Sequence, residues 1–377
     1  MKVAWLGHLE GERSDGLSTY SREAREQLAR RGVDVLFFHY EEPGMQPASL
    51  VMPRGFRFKT MRVPSLGSSA FIAEHLRRFK ADLVHVSMSF SLIEWRVHEI
   101  AHSMGLPAVA TFHVPYDRRP GLRNYVLNMV TKAYAPALSH YDKVIIFSEG
   151  HRAQLAGVGV DPKVLAVIPN GVDVERYHPG PSLFRQGAGV GFLATYMGRL
   201  DPEKNCEVLC DAWADLDLGD GNLLMLMGQG TERRRLLRRF GKHPQIRLPG
   251  LIRSEAERID ILRGSDIFIL PSSIEGLSLS LLEAMACGCC TLATDVGSDG
   301  EVTRGVGITL NPLALRPQLE LAIRLCQEQP QLRQHLGRLA RARVLQRYNL
   351  KDNFNQLLDL YERLLGPAPP GSDDAPR

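Results

Sequence analysis

Short apolar runs recur along the chain, each separated from the next by a longer stretch whose apolar residues return every three or four positions. Runs of that length read as buried strands and the intervening periodicity as helices; strand–helix alternation of this kind specifies parallel α/β sheets. In the first half, strands are expected at residues 3–6, 33–39, 83–86, 108–112, 143–147 and 165–168, with helices at 18–31, 93–104 and 121–140. A second series starts at Gly191, with strands at 192–197, 223–227, 246–248, 266–270 and 291–294. Helices at 206–216, 231–240, 254–263 and 279–287 fall between or after them, followed by helices at 317–328 and 331–348. A last helix, 351–365, carries Phe354, Leu357, Leu358, Leu360, Tyr361, Leu364 and Leu365 at helical spacing. Between the two series, residues 176–190 are rich in Pro and Gly and lack periodicity, which reads as an interdomain linker. The final GPAPPGSDDAPR has no core-forming residues and reads as a disordered tail.

The fold class expected is therefore α/β, with two doubly wound domains over 1–178 and 190–348, then a separate helix at 349–365 and a tail at 366–377. The length of 377 residues fits two domains of about 150 residues each. Two such domains joined by a linker imply a cleft, and open α/β sheets bind ligands at the carboxyl ends of their strands. Composition adds mainly exclusions. The net charge of +4 arises before residue 180, and no basic stripe studded with aromatics appears, so a nucleic-acid partner is not expected. No apolar run approaches the roughly 20 residues that cross a bilayer, and MKVAWLGHLEGERS reads as a strand and a polar loop rather than a leader. A cytoplasmic protein follows, with at most a peripheral contact on the cytoplasmic face of a membrane. The six cysteines all lie in the second half; without a matching Cys/His pair, the Cys287-Gly-Cys-Cys run reads as buried reduced thiols rather than a metal site.

The stretch 271–288, PSSIEGLSLSLLEAMACG, carries the most chemistry. Glu275 and Glu283 flank a corner, Gly276, Leu277, Ser278 and Leu279, that follows a strand and opens a helix. A helix N-terminus presents unpaired N–H groups and a positive dipole end to phosphate oxygens. A carboxylate before the corner and another about two turns into the helix can each accept hydrogen bonds from sugar hydroxyls. Taken alone, this is also the description of a strand–loop–helix with two solvated glutamates. Gly198-Arg199-Leu200-Asp201-Pro202-Glu203-Lys204-Asn205 brings Arg199 and Lys204 to another strand end, where two cations suit a departing diphosphate. Pro169-Asn170-Gly171-Val172-Asp173 closes the first series, its Asn-Gly pair being a turn signal. Near the first strand, Asp15-Gly16 precedes a helix, and Gly16 permits close approach of backbone N–H groups to an anion.

Taken together and in this order, GRLDPEKN, PNGVD and EGLSLSLLEAMACG resemble the retaining nucleotide-sugar glycosyltransferases of family 4, which have the GT-B fold; the resemblance covers essentially residues 1–365. It implies two Rossmann-like domains, a donor nucleotide held mainly by the second, an acceptor held mainly by the first, and a last helix that crosses back to the first. It implies that Arg199 and Lys204 bind the donor phosphates, that Glu283 takes the ribose hydroxyls, and that Glu275 contacts the transferred sugar. Gly16, Asn170 and the backbone of Gly276, Leu277, Ser278 and Leu279 complete the implied donor site. His113, in VATFHVP, matches a histidine facing the donor sugar near its 6-position, and 248–253 matches the loop flanking the nucleobase. The chain departs from many members in having Asp15-Gly16 for a Gly-Gly pair and Gly276-Leu277-Ser278 for Gly-Phe-Gly, which leaves the identity of the substrate open.

The activity implied is transfer of a hexose with retention, the nucleotide-diphosphate sugar serving as co-substrate, with no further cofactor and no metal. The nearest D-x-D, Asp215 and Asp217, sits at a helix end away from the expected site. The acceptor expected is a lipid or glycan of the cell envelope. Arg118, Arg119 and Arg123 lead a helix that reads either as a basic, apolar-faced element lying on an anionic membrane or as an ordinary helix packed on its sheet. Three other readings stay open: a transferase making a small soluble disaccharide or solute, a non-catalytic scaffold of the same fold, and a UDP-sugar epimerase of similar two-domain shape.

Overall fold

The computed structural model describes residues 1–7, 16–40, 49–53, 55–58, 61–88, 91–115 and 122–366. The chain divides into two compact units, one comprising Met1–Val114, Pro120–Ile168 and Lys351–Arg377, the other Pro115–Arg119 and Pro169–Leu350.

In chain order the strands of the first unit are Lys2–Leu6 (β1), Asp34–His39 (β2), Ser49–Val51 (β3), Phe56–Phe58 (β4), Met61–Val63 (β5), Leu83–Met88 (β6), Ala108–Phe112 (β7), Lys143–Ile146 (β8) and Leu165–Val167 (β9). Among the described residues seven of them form a parallel sheet in the order β3-β2-β1-β6-β7-β8-β9, while β4 and β5 pair antiparallel apart from it. β6 and β7 are buried at every position because helices cover both faces, as parallel sheets require. The core gathers Val84, Val86, Phe112, Leu138 and Ile146 with Ile72 and Leu76 of the helix Ser68–Phe79.

The second unit repeats the plan with Phe192–Met197 (β10), Asn222–Met227 (β11), Ile246–Gly250 (β12), Ile267–Leu270 (β13), Cys290–Thr294 (β14) and Ile308–Leu310 (β15). Its sheet runs β12-β11-β10-β13-β14-β15. In both sheets the chain first builds outward to one side and then returns to the other, so the order reverses at β1/β6 and at β10/β13. Loops leaving the carboxyl ends of two such strands diverge to opposite faces and leave a crevice, where open α/β sheets take ligands.

Three expectations need correcting. The stretch 176–190 is not a featureless linker. It contains the helix Leu183–Ala188, capped by Ser182, whose hydroxyl accepts from Arg185 N. Asp260 accepts from the amides of Leu183 and Phe184, and Arg185 pairs with Asp266 and reaches the carbonyls of Gly264 and Gly191, which fastens the segment to the second unit. Nor is Asn170-Gly171 a turn. The segment is extended, with Val172 bridged to Asn349, Val172 N donating to Tyr348 O and Leu350 N to Val172 O. Glycine is needed at 171 because a Cβ there would lie 2.5 Å from Leu350 Cα. The expected helix at 93–104 is a 3-10 turn, Leu92–Trp95, followed by a separate helix, Val97–His102, the break falling at Arg96.

All six cysteines are buried free thiols. Asp215 pairs with Arg316, and among the described residues no group of acidic, His or Cys side chains is arranged to hold a metal ion. No helix among them is long and apolar enough to cross a membrane.

Candidate functional site

The reversal point of the second sheet assembles the chemistry. After β10 the chain turns at Gly198-Arg199, where the Tyr196 hydroxyl donates to Arg199 O at 2.6 Å, and descends through the 3-10 turn Pro202–Lys204. Asn205 ends that turn at φ 50°, a left-handed conformation that asparagine tolerates. After β13 the loop 271–278 runs beside it. The two loops are knitted by Asn205 Nδ2 donating to Pro271 O (2.9 Å) and by the Ser273 amide and hydroxyl donating to Glu203 O (2.7 and 3.0 Å). Residues about 70 apart in sequence are thereby fixed against each other.

At the centre, Lys204 Nζ lies 2.5 Å from Glu275 Oε1, and the Ser272 hydroxyl donates to the same oxygen at 2.7 Å. Both charged side chains are only 12% exposed. At that burial a cation and a carboxylate depend on each other, since either one alone would bear an uncompensated desolvation cost. Arg199 stands half exposed above them, paired with Asp201 and Glu203, and Asp201 in turn accepts from the amide and hydroxyl of Thr231 at 2.8 and 2.9 Å. Arg199 is thus held by two carboxylates, that of Asp201 itself tied to Thr231, with half of its side chain open to an anion.

The corner Gly276, Leu277, Ser278 leads into the helix Leu279–Ala286, with Ser278 as cap: its hydroxyl accepts from Leu281 N. The helix begins at Leu279 as expected, which places Glu283 just over one turn into it rather than two, half-buried beside the Tyr177 phenol, whose ionisation burial and then the Glu283 carboxylate suppress. Asn170 is buried in the same unit, in the strand-like segment pinned to Tyr348–Leu350.

Two family models match the chain: Glycosyltransferase Family 4 over residues 14–176 and Glycosyl transferases group 1 over 191–323. The chain belongs to the family 4 glycosyltransferases. Similar curated proteins include the UDP-Gal:alpha-D-GlcNAc-diphosphoundecaprenol alpha-1,3-galactosyltransferase of Escherichia coli, 25% identical over 76% of each chain. The D-inositol 3-phosphate glycosyltransferase of Rhodococcus jostii is 26% identical over 77% of this chain and 71% of its own. Among solved structures, Anabaena HepE in complex with UDP-glucose superposes with a TM-score of 0.76 at 18% identity, covering 96% of this chain and 99% of that one. This and its companions are GT-B glycosyltransferases, which fixes the fold.

In this glycosyltransferase Arg199, Lys204, Glu275, Gly276, Leu277, Ser278, Leu279, Glu283 and Asn170 belong to the second unit, and Gly16 and His113 to the first. Gly16 opens the helix Gly16–Ala29, exposed, with open space where a Cβ would stand. His113 follows β7, its N–H directed at Met88 O (3.4 Å) and its ring between Tyr20 (4.8 Å, edge-on) and Phe147 (5.2 Å). Behind it runs a buried polar chain that sequence reading missed. The Tyr20 hydroxyl meets Thr111 Oγ1 at 3.4 Å, Thr111 Oγ1 meets His85 Nε2 at 2.7 Å, and His85 Nδ1 bonds the Tyr361 hydroxyl of the last helix. Trp5 stacks on the His85 ring at 3.8 Å. Burial, and then the neighbouring His113, hold His85 well below the usual imidazole range, so it serves as a neutral link. Asp15, Arg118 and Arg119 lie outside the described residues. Arg123 falls within the helix Leu122–Ser139, its side chain again outside them.

Proposed function

We propose that this glycosyltransferase moves a hexose from a nucleotide-diphosphate sugar to a lipid-linked or glycan acceptor, with retention and without a metal ion. The observation that carries the reading is the Lys204–Glu275–Ser272 cluster at the strand-order reversal of the second sheet, beside the N-terminus of the helix Leu279–Ala286. Lys204 and Arg199 meet the charge that builds on the diphosphate as its bond to the anomeric carbon breaks, and the first-turn amides of that helix add their dipole. Such an array contributes several kcal/mol only where water is scarce, and the burial of Lys204 supports this. The acceptor hydroxyl then bonds to the anomeric carbon from the face the diphosphate leaves, and its proton passes to the departing phosphate oxygen. Glu275 is tied to Lys204 and orients the sugar through its hydroxyls rather than attacking it. Glu283 takes the ribose, and His113 faces the sugar near its 6-position.

The solved HepE structures hold UDP or UDP-glucose, which supports a uridine donor. The Escherichia coli relative is named for a diphosphoundecaprenol acceptor, which supports a lipid-linked one. A small phosphorylated polyol is the second acceptor class, favoured by the several D-inositol 3-phosphate glycosyltransferases among the relatives. A thermal-shift panel of UDP, GDP, ADP and their hexose conjugates in EDTA tests the donor. One nucleotide should raise the midpoint by mass action. No shift with any of them at millimolar concentration would contradict the reading.

A further inference from the structure

One buried carboxyl beside the donor turn has no part in the mechanism above. Asp299 opens the short helix Asp299–Thr303 after β14 and is wholly buried. Its Oδ1 accepts from Ser278 N at 2.9 Å, while its Oδ2 is buried without a hydrogen-bond partner. The residues just before it clasp the same turn: Ser298 N donates to Gly276 O at 2.7 Å. Gly297, at φ 53°, packs so closely that a Cβ would lie 2.0 Å from Glu275 O. Segment 297–299 is thus the backing of the corner 275–278, and Asp299 is its only ionisable side chain.

An isolated buried carboxylate with one unsatisfied oxygen is costly, whereas a carboxylic acid in the same place is tolerated. Burial, and after it the like charge of Glu275, push the Asp299 carboxyl well above the usual carboxylate range; the Ser278 amide and Lys204 pull the other way. Glu275 on the loop after β13 and Lys204 on the loop after β10 act on it from other elements, and the Asp299 charge in turn bears on the Tyr348 phenol at the end of the helix Pro330–Arg347. Beside it, Asp295 pairs with Arg304 and Glu301 with Arg347. Even before Asp299 is included, the cations Lys204 and Arg199 face the carboxylates of Glu275, Asp201 and Glu203. A further negative charge behind Glu275 would oppose a diphosphate and drive the turn apart.

We propose that Asp299 is a positioning residue of the donor site that holds the turn 275–278 in its diphosphate-binding form only while its carboxyl is neutral, making donor affinity depend on pH. The inference rests on the donor reading above.

The test compares wild type with Asp299→Asn, which keeps the acceptor for Ser278 N and cannot ionise. The thermal midpoint is followed from pH 5 to 10, and UDP affinity is titrated over the same range. A carboxyl raised on folding stabilises fully below its unfolded pKa and loses that contribution as pH rises toward the folded value. The midpoint of wild type should therefore fall relative to the variant as pH rises. UDP affinity of wild type should drop about tenfold per pH unit once Asp299 ionises, and that of the variant should lack this drop. Parallel midpoint curves, or the same pH dependence of UDP affinity in both proteins, overturn the inference. No nucleotide binding in either protein at any pH refutes the donor reading and the role of Asp299 with it. Should the variant not fold, the infrared carbonyl band of a protonated acid in wild type at neutral pH replaces it. That band should disappear at alkaline pH as UDP affinity drops, and its absence at neutral pH overturns the inference.

Discussion

Replacing Lys204 by methionine separates its two roles. The side chain keeps its apolar stem but leaves Glu275, 12% exposed, with only the Ser272 hydroxyl and with Asp299 behind it. Breaking a buried ion pair from one side costs about 3–5 kcal/mol, a ceiling here because both side chains keep some contact with solvent. For a domain of this size each kcal/mol moves the midpoint by about 2–4 °C, so a loss of up to roughly 6–20 °C is expected. Turnover should fall about 100- to 1,000-fold, the usual effect of removing one charge-stabilising donor. Adding Glu275→Gln to Lys204→Met removes the orphaned charge, so the midpoint should recover while turnover stays low. Differential scanning fluorimetry and initial rates at saturating donor read the two quantities independently. A folded Lys204→Met enzyme with turnover within a few-fold of wild type would refute the leaving-group role. No recovery of the midpoint in the double variant would refute the energetic dependence of Glu275 on Lys204.

Glu283→Gln should weaken nucleotide binding about 10- to 100-fold, the range for a hydrogen bond to a charged group, with little change in midpoint; unchanged affinity by calorimetry contradicts the ribose assignment. Tyr361→Phe leaves His85 Nδ1 buried without its hydroxyl partner and should cost about 1–3 kcal/mol in urea denaturation, whereas a neutral result means that the last helix does not depend on this link. Burial lowers the His151 imidazole to about 3, so the stability it allows is complete above pH about 6.5 and is lost as pH falls from there toward 3. His151→Leu should remove that part of the acid slope, at most about 1.4 kcal/mol per pH unit, and an unchanged slope shows that the group does not titrate as described.

Strands that are apolar along most of their length were legible: the expected limits of β7 and β10 coincide with those observed. Three-residue strands such as β3 and β15 are too short to show a period, and both lie at sheet edges where burial is partial. The helix Glu149–Gly157 was missed because its only wholly apolar stripe is thin; its real signal is Ser148, whose hydroxyl accepts from His151 N. The helix Leu183–Ala188 was hidden by flanking Pro and Gly, and its anchors, Asp260 and Asp266, lie far away in sequence.

The same distinction divides the site. Arg199, Lys204, Glu275 and Glu283 stand in local motifs, so their neighbourhood could be read from the chain. The dependence of Lys204 on Glu275 spans 71 positions and that of Ser278 on Asp299 spans 21, and neither spacing carries a pattern. His85 and Tyr361, 276 positions apart, look in sequence like a strand residue and a helix residue of the core. Burial turns such residues into partners, and only the fold brings them together.

The central claim is that the second unit recognises a diphosphate at the turn formed by Arg199, Lys204 and the corner 276–279. Isothermal titration of UDP against UMP, in EDTA, tests it most directly, with wild type and Lys204→Met side by side. Wild type should bind UDP at least about tenfold more tightly than UMP, in keeping with charge-assisted bonds to the second phosphate, and the variant should lose most of this preference. Equal affinities for UDP and UMP in wild type, or a preference unchanged in Lys204→Met, would contradict it.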